Sequence, residues 1–373
     1  MGMNVLILQP PLMQLNTAYP SGAYLASFFR SREQCGVSCT VRWRDLNIEL
    51  FDELFSCRGL ERLFSLCSDM ALDLADRAQR DGDDGRAYNL RRYVAERELW
   101  CQWIDTITAL LRGQRRECAH RFVFGAHVPR GSRMERYLAD LQHDLTTDDA
   151  RALASYALAD LADFITAAFD PNFALVRYAE SLTVSESSFA QVAFGADSPV
   201  MREFFLPVLE RVAQEEAALL PGSAGGDCPG SSGSGRGGPT LICISVPFAG
   251  TFTPALAAGR FFKQRYGRGV FVSLGGGFIN TELRDCAEPL LADFCDALSY
   301  DRGYAGYRQL LQSPLLGSCG GDGASAAGQF YKLRLFGPAA AGAAHTAARV
   351  EQEHEIDLQQ TLRKFFGSHP KLL

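Results

Sequence analysis

The sequence predicts an α/β fold, a doubly wound parallel sheet interrupted by a large all-helical insertion. Three observations lead there. Short apolar runs end at proline or glycine near both ends of the chain, segments of helical spacing separate them, and helical periodicity alone fills the middle.

The first strand is Asn4-Val5-Leu6-Ile7-Leu8, stopped by Gln9-Pro10-Pro11. A continuous apolar run of this length suits a central parallel strand covered on both faces. Ser21 to Phe29 has helical spacing, with Ser21 as its N-cap. Val37 to Trp43 is rich in β-branched residues and reads as the second strand. Later strands are expected at Thr240–Val246, Gly269–Leu274 and Cys295–Tyr300, with an edge strand at Tyr331–Phe336. Helices are expected at Phe252–Tyr266, Glu282–Phe294 and Tyr304–Leu311.

Between Leu46 and Ala218 the pattern is helical, clearest at Phe51–Ser68, Tyr88–Arg112, Ala150–Phe169 and Met201–Leu219, with a stop at Asp170-Pro171. Pro221 to Pro239 is almost entirely Gly, Ser and Pro and has the composition of a flexible linker. The expected organisation is therefore an α/β domain from 1–48 and 240–336, a helical insertion at 49–220, a linker at 221–239, and a helical tail at 337–373 with helical character from His345 to Phe366.

Composition excludes some function classes. The net charge of −6 argues against a general nucleic-acid binder, which needs a basic footprint. The N-terminal apolar run is broken by Pro10-Pro11, and no other segment approaches twenty uninterrupted apolar residues, so neither a signal peptide nor a membrane span is expected and the cytoplasm is the expected compartment. The 11 cysteines are scattered singly and read as reduced thiols, with Cys243 and Cys295 as small core residues.

In open parallel sheets ligands sit beyond the carboxyl ends of strands. Three such ends carry the candidate binding residues: Pro10 and Pro11; Ser245, Pro247 and Phe248; and Gly275, Gly276, Gly277, Asn280 and Thr281. The triple glycine reads either as backbone laid open to a ligand or as a tight turn followed by a helix cap. It is neither Gly-x-Gly-x-x-Gly nor a P-loop. Glu282 and Arg284 read as a local ion pair. Arg112, Arg115, Arg116, Arg121, Arg130, Arg133 and Arg136, with His120 and His127, form either a partner surface or a solvated helical face.

No metal site is expected. Cys118 and His120 lack a second ligand pair, and His354 lacks a second histidine at zincin spacing. Cys35 and Cys39 begin a Cys-x3-Cys-x2-Cys spacing, but the third position is Arg42. No catalytic residue is expected, and no serine elbow is present.

Two blocks, Ile244-Ser245-Val246-Pro247-Phe248-Ala249-Gly250 and Leu274-Gly275-Gly276-Gly277-Phe278-Ile279-Asn280-Thr281-Glu282-Leu283-Arg284, resemble the N-terminal region of radical SAM proteins that carry a cobalamin-binding-like domain ahead of their barrel. Leu6 to Pro11 and Tyr19 to Ala26 resemble the same family, and the likeness spans roughly residues 3–48 and 240–311. The resemblance implies a flavodoxin-like fold with cobalamin, or a related nucleotide-bearing ligand, over the strand ends. The family's cobalt-ligating Asp-x-His-x-x-Gly is absent after the first strand. The family's barrel holds a [4Fe-4S] cluster and SAM on Cys-x3-Cys-x2-Cys. Here that motif is missing, so the expectation is a truncated relative that binds a small-molecule cofactor, docks on a catalytic barrel and runs no radical chemistry alone. The alternatives are a non-catalytic interaction module with the insertion as partner surface, and a nucleotide- or SAM-binding transferase.

Overall fold

The computed structural model of the chain describes residues 2–175, 189, 193, 195–222, 240–286, 288–316 and 331–337. In chain order its elements are β1 (Met3–Gln9), α1 (Ser21–Arg30), α2 (Arg32–Cys35), β2 (Cys39–Asp45), α3 (Leu46–Leu54), α4 (Cys57–Arg80), α5 (Asp84–Ala95), α6 (Arg97–Leu111), α7 (Ala119–Phe124), α8 (Ser132–Ala139), α9 (Ala150–Ala168), α10 (Leu206–Glu215), β3 (Thr240–Ser245), α11 (Phe252–Tyr266), β4 (Val270–Gly275), α12 (Gly277–Thr281), β5 (Ala297–Ser299), α13 (Tyr304–Gln312) and β6 (Leu333–Leu335). The chain divides into two compact units. Of the described residues, 2–48, 189, 193, 195–197 and those from Leu206 onward belong to the first, and Glu49–Leu175 and Ser198–Phe205 to the second.

The first unit holds one six-stranded sheet in the order β2-β1-β3-β4-β5-β6. The pairs from β2 to β5 are parallel, and β6 closes the edge antiparallel to β5. Strand residues alternate between two faces. One face sets Val5, Ile7, Leu241, Cys243 and Phe271 against Phe28 and Phe29 of α1 and Tyr307, Leu310 and Leu311 of α13. The other carries Leu6, Leu8, Ile242, Ile244, Val272 and Leu274, each at most 1% exposed. Here α11 lies so close that a Cβ on Gly259 would fall 3.5 Å from the Val272 Cγ1. Cover on both faces is why β1 and β3 read as unbroken apolar runs rather than alternating ones.

Several boundaries differ from expectation, each for a local reason. Arg32–Cys35 forms a short helix capped by Ser31, whose hydroxyl accepts from the Gln34 amide at 3.3 Å, so β2 starts at Cys39 rather than Val37. Ser21 is the first helical residue of α1 and not its cap. Pro20 holds the cap position, with no side-chain hydrogen bond. No helix runs from Glu282 to Phe294. The chain forms α12 and then a 3-10 turn at Pro289–Asp293, whose first amides are capped by Glu288 accepting from the Leu290 amide at 3.1 Å. Pro289 has no N–H, and its ring would clash with the preceding turn of an α-helix. The sheet strand β5 is shorter than Cys295–Tyr300 because the Asp296 carboxylate, rather than a strand carbonyl, takes the Val272 amide at 2.8 Å.

Composition assigned everything up to residue 220 to the insertion, yet α10 belongs with the sheet. It packs on α11, and its last residue and the segment after it are tied in by Arg44 pairing with Glu215 at 2.7 Å and Glu216 at 3.1 Å, and by Asn4 Nδ2 donating to the Leu219 carbonyl at 2.8 Å.

The second unit is helical. Apolar residues of α4 recur as Leu60, Leu63, Phe64, Cys67, Ala71 and Ala75, one buried stripe, while Leu66, Met70 and Leu72 lie among the exposed residues of the same helix. Tyr93 stacks between Trp100, at 5.5 Å, and Phe164 of α9, at 4.9 Å. The long periodic stretches break into shorter helices. Ser56 caps α4 by accepting from Gly59 N at 3.0 Å, and α5 gives way to α6 at Glu96. The expected stop at Asp170 is present: its carboxylate accepts from Asn172 N at 3.0 Å, Ser198 Oγ at 2.7 Å and Val200 N at 3.0 Å. Residues 223–239, and the tail from 338 on, lie outside the described residues. No helix among the described residues is long and apolar enough to cross a membrane.

The close approach of α11 to the segment before β5 yields a test. A Cβ on Gly259 would lie 2.2 Å from the Phe294 carbonyl oxygen, a backbone atom with nowhere to turn. Gly259→Ala is expected to lower the unfolding free energy by about 1–3 kcal/mol despite its better helix propensity. Urea denaturation followed by circular dichroism measures it, and an unchanged midpoint would contradict this packing.

Candidate functional site

The sheet order reverses direction at β1: the chain steps to β2 on one side and, after the insertion, to β3 on the other. The carboxyl ends of the strands next to such a reversal are left uncovered by the crossover helices. A cavity of about 400 Å³ lies there, wholly within the first unit. Ser21, Tyr24 and Leu25 of α1 form one wall, Ile244 and Ser245 the end of β3, Gly275 and Gly276 the end of β4, and Ser299 the end of β5. Asp301, Arg302, Tyr304 and Tyr307 complete the lining.

Of the residues singled out in the sequence, Ser245, Gly275 and Gly276 line the cavity. Pro10, Pro11 and Pro247 are buried outside the lining and serve to end their strands. Phe248 is half exposed and meets Tyr19 edge-on at 5.9 Å, also outside the lining. Gly277 is exposed, and Thr281 turns its hydroxyl back onto the Gly277 carbonyl at 3.2 Å. Asn280 does not reach the cavity; its Oδ1 accepts from the Asp301 amide at 2.5 Å and so holds the next turn.

The glycine turn is shaped first by the protein's own backbone. Gly276 has φ 119° and ψ −175°, a region essentially closed to other residues, and a Cβ there would lie 2.6 Å from the Val246 carbonyl oxygen. That approach lets Val246 N donate to Gly275 O at 2.6 Å and Phe278 N to Val246 O at 3.1 Å, which locks the ends of β3 and β4 together. The turn is tight, and two of its glycines, Gly275 and Gly276, line the cavity.

The polar groups of the lining form two chains. Ser245 Oγ bonds to Ser21 Oγ at 2.8 Å, and Ser21 Oγ donates to Gln9 Oε1 at 3.1 Å, so a buried glutamine fixes the β1 side. On the other side the buried Tyr307 hydroxyl lies 3.2 Å from Ser273 Oγ and also bonds Ser299. Burial is the main reason its pKa stands well above the usual tyrosine value, so it stays a neutral hydrogen-bonding group.

The turn after β5 was not legible as part of the site. Asp301 adopts φ 56°, a left-handed conformation that aspartate tolerates better than most residues. Its carboxylate pairs with Arg284 and with Lys332, the latter at 2.7 Å. Arg284 therefore pairs across the sheet end, not with Glu282 as expected, and its guanidinium lies over Tyr300 at 5.6 Å. Partial burial works against the charge on Asp301, but the Lys332 hydrogen bond, then the charges of Lys332 and Arg284, outweigh it and hold the carboxyl below its ordinary range. The available signal was the rule already applied to the other strands, that a strand's carboxyl end is where ligands sit.

Within the second unit, Arg112 pairs with Asp52, Arg133 pairs with Asp163, and Arg121 lies over Trp103 at 5.2 Å. These arginines serve the helical unit itself. No group of three or more His, Cys, Asp or Glu among the described residues is placed to hold a metal. His354 lies outside the described residues. Cys243 and Cys295 are buried as expected, and burial pushes the Cys243 thiol up to about 12.

Comparison of the chain with family models, with curated proteins and with solved structures returned no match.

Two outcomes test the site's construction. Gly276→Ala is expected to cost about 1–3 kcal/mol by forcing Val246 away, measured by thermal or urea unfolding. Asp301, held below its unfolded pKa, adds stability that is present above about pH 4 and lost as the pH falls through the folded value. The gap in denaturation midpoint between the protein and Asp301→Asn should therefore be widest near neutrality and close below about pH 4; a gap independent of pH would contradict the ion pairs.

Proposed function

We propose that the first unit is a small-molecule binding module of the doubly wound α/β class, taking its ligand over the strand carboxyl ends. The order β2-β1-β3-β4-β5 is the flavodoxin-like order, in which the ligand lies at the reversal beside β1. The particular reading is the cobalamin-binding-like, N-terminal portion of a radical SAM protein. The blocks Ile244–Gly250 and Leu274–Arg284 that resemble this family border the cavity or brace the turn that does.

The observation that carries the reading is the cavity of about 400 Å³ at the reversal, with the Cβ-free edge of Gly275 and Gly276 along it. Ligand pockets span roughly 300–1,000 Å³. A cavity at the lower end suits the nucleotide-bearing tail of cobalamin and leaves the corrin ring at the mouth. The residues fit that tail: Leu25, Ile244, Tyr24 and Tyr304 offer apolar surface, and Ser21, Ser245 and Ser299 offer hydroxyls. They supply no cobalt ligand, since residues 10–20 contain no histidine. Cobalamin, when bound, brings a cobalt centre for group transfer. The share of this chain is to bind and orient the tail and to present the ring to a catalytic barrel. A transferase acting alone is disfavoured because no lining residue is placed as a general base: the one carboxylate is engaged twice.

Incubation with hydroxocobalamin followed by gel filtration is expected to leave coloured protein near one equivalent. Leu25→Trp, which narrows the cavity from α1, should weaken binding about tenfold, or ~1.4 kcal/mol. Colourless protein would remove cobalamin from the reading.

A further inference from the structure

The turn after β5 carries a charge that the reading above leaves unused. Arg302 lines the cavity, and among the described residues its guanidinium has no ion-pair partner. The lining's one carboxylate, Asp301, is its sequence neighbour and is already neutralised by Arg284 and Lys332. Arg284 and Lys332 share the one Asp301 carboxylate, and Arg302 beside them adds a positive charge that a neutral or cationic ligand would leave without a counter-ion.

The turn is also braced. The Asp301 amide donates to Asn280 Oδ1 at 2.5 Å, Gly303 N donates to Tyr300 O at 3.2 Å, and Tyr300 N donates to Lys332 O at 2.9 Å. The backbone on either side of Arg302 is thus held, and its exposed side chain stands at the cavity rim. Left-handed backbone at a non-glycine residue is uncommon and costs free energy, and such conformations gather at ligand sites. Tyr304, two residues on, lies stacked on Phe28 at 4.7 Å, so the aromatic wall beside Arg302 is also held in place.

We infer that the ligand of this cavity carries a phosphate group, and that Arg302 receives it at the rim. The inference rests on the reading of the cavity as a binding site and narrows its ligand class. A guanidinium offers a planar pair of donors that matches two phosphate oxygens, and Asp301 does not oppose the anion because its charge is already spent on two partners. The remainder of the lining suits what a phosphate would be attached to: hydroxyls for a sugar and apolar surface for a ring. The phosphodiester of cobalamin and the monoester of a free nucleotide share this chemistry.

Calorimetry with four probes separates the sources. Hydroxocobalamin is paired with cobinamide, which lacks the nucleotide and its phosphate, and adenosine monophosphate is paired with adenosine. In at least one pair the phosphorylated member should bind tenfold or more tightly, with affinity falling as salt rises. Arg302→Gln should abolish that advantage in the adenosine pair, reduce it severalfold in the cobalamin pair, where cobinamide also lacks the base and ribose, and leave the phosphate-free member's affinity unchanged, while Arg268→Gln, remote from the cavity, changes neither. If adenosine monophosphate shows this behaviour and hydroxocobalamin does not bind, the phosphate site stands and the cobalamin reading falls. If hydroxocobalamin binds equally well to the Arg302→Gln protein, the cobalamin reading stands and the phosphate site falls. If no phosphorylated probe outbinds its partner, the inference is overturned. Circular dichroism of each variant confirms that the fold is retained.

Discussion

The first unit depends on the enclosure of β1. It pairs on both edges, with β2 and β3, and is packed on both faces, so its side chains from Val5 to Leu8 are wholly buried. Each such apolar side chain contributes about 1.5–3 kcal/mol when removed from water. The chain leaves β1 for β2 on one side and, after β2 and the insertion, returns to β3 on the other. Helices α1 and α13 then cover one face, and α11 the other. The cavity opens at the carboxyl ends of β3, β4 and β5, beside the start of α1. Its existence is a consequence of sheet order rather than of any one side chain.

The lining residues are then fixed by two kinds of local device. On the β1 side the device is hydrogen bonding. Gln9, buried at the end of the central strand, holds Ser21, which in turn meets Ser245 of β3. On the β4 side the device is the absence of a side chain. Gly276 allows two strand ends to come within hydrogen-bond distance of each other, where any Cβ would intervene. Both devices tie neighbouring strands together at the rim. A rim tied in this way loses less conformational entropy on binding than one that must be ordered by its ligand.

The sheet was legible in the sequence because burial on two faces leaves an unmistakable trace. Thr240–Ser245 and Val270–Leu274 are uninterrupted buried runs, and each ends in residues that do not continue a strand. What was lost follows from the same logic. Helical spacing in Glu282–Phe294 was real, but one proline outweighed it. The segment Leu206–Glu215 has a helical pattern that fits either unit, and only contacts such as Asn4 with Leu219 show which one it joins. Arg302 was missed because a charged residue in a turn looks like any solvated surface residue. Its significance comes from Lys332 and Arg284, brought to Asp301 from sequence positions 31 and 17 residues away.

Asn280 shows how a residue of the right chemistry in the right block can serve a different end. Its amide was a fair candidate to contact a ligand directly, yet its oxygen is committed to the Asp301 backbone. The same holds for Ser21 and Ser245, each already bonded to a protein partner. Hydroxyls so engaged still accept further hydrogen bonds, but they discriminate weakly between ligands, because many groups can donate to them. Charge discriminates more sharply, since an uncompensated ion near a cavity wall penalises the wrong ligand as well as favouring the right one. Of the charged lining residues, Asp301 is satisfied within the fold and Arg302 is not paired among the described residues. On the proposed reading, the choice of ligand would fall to the turn after β5, while the glycines that first draw the eye shape the cavity.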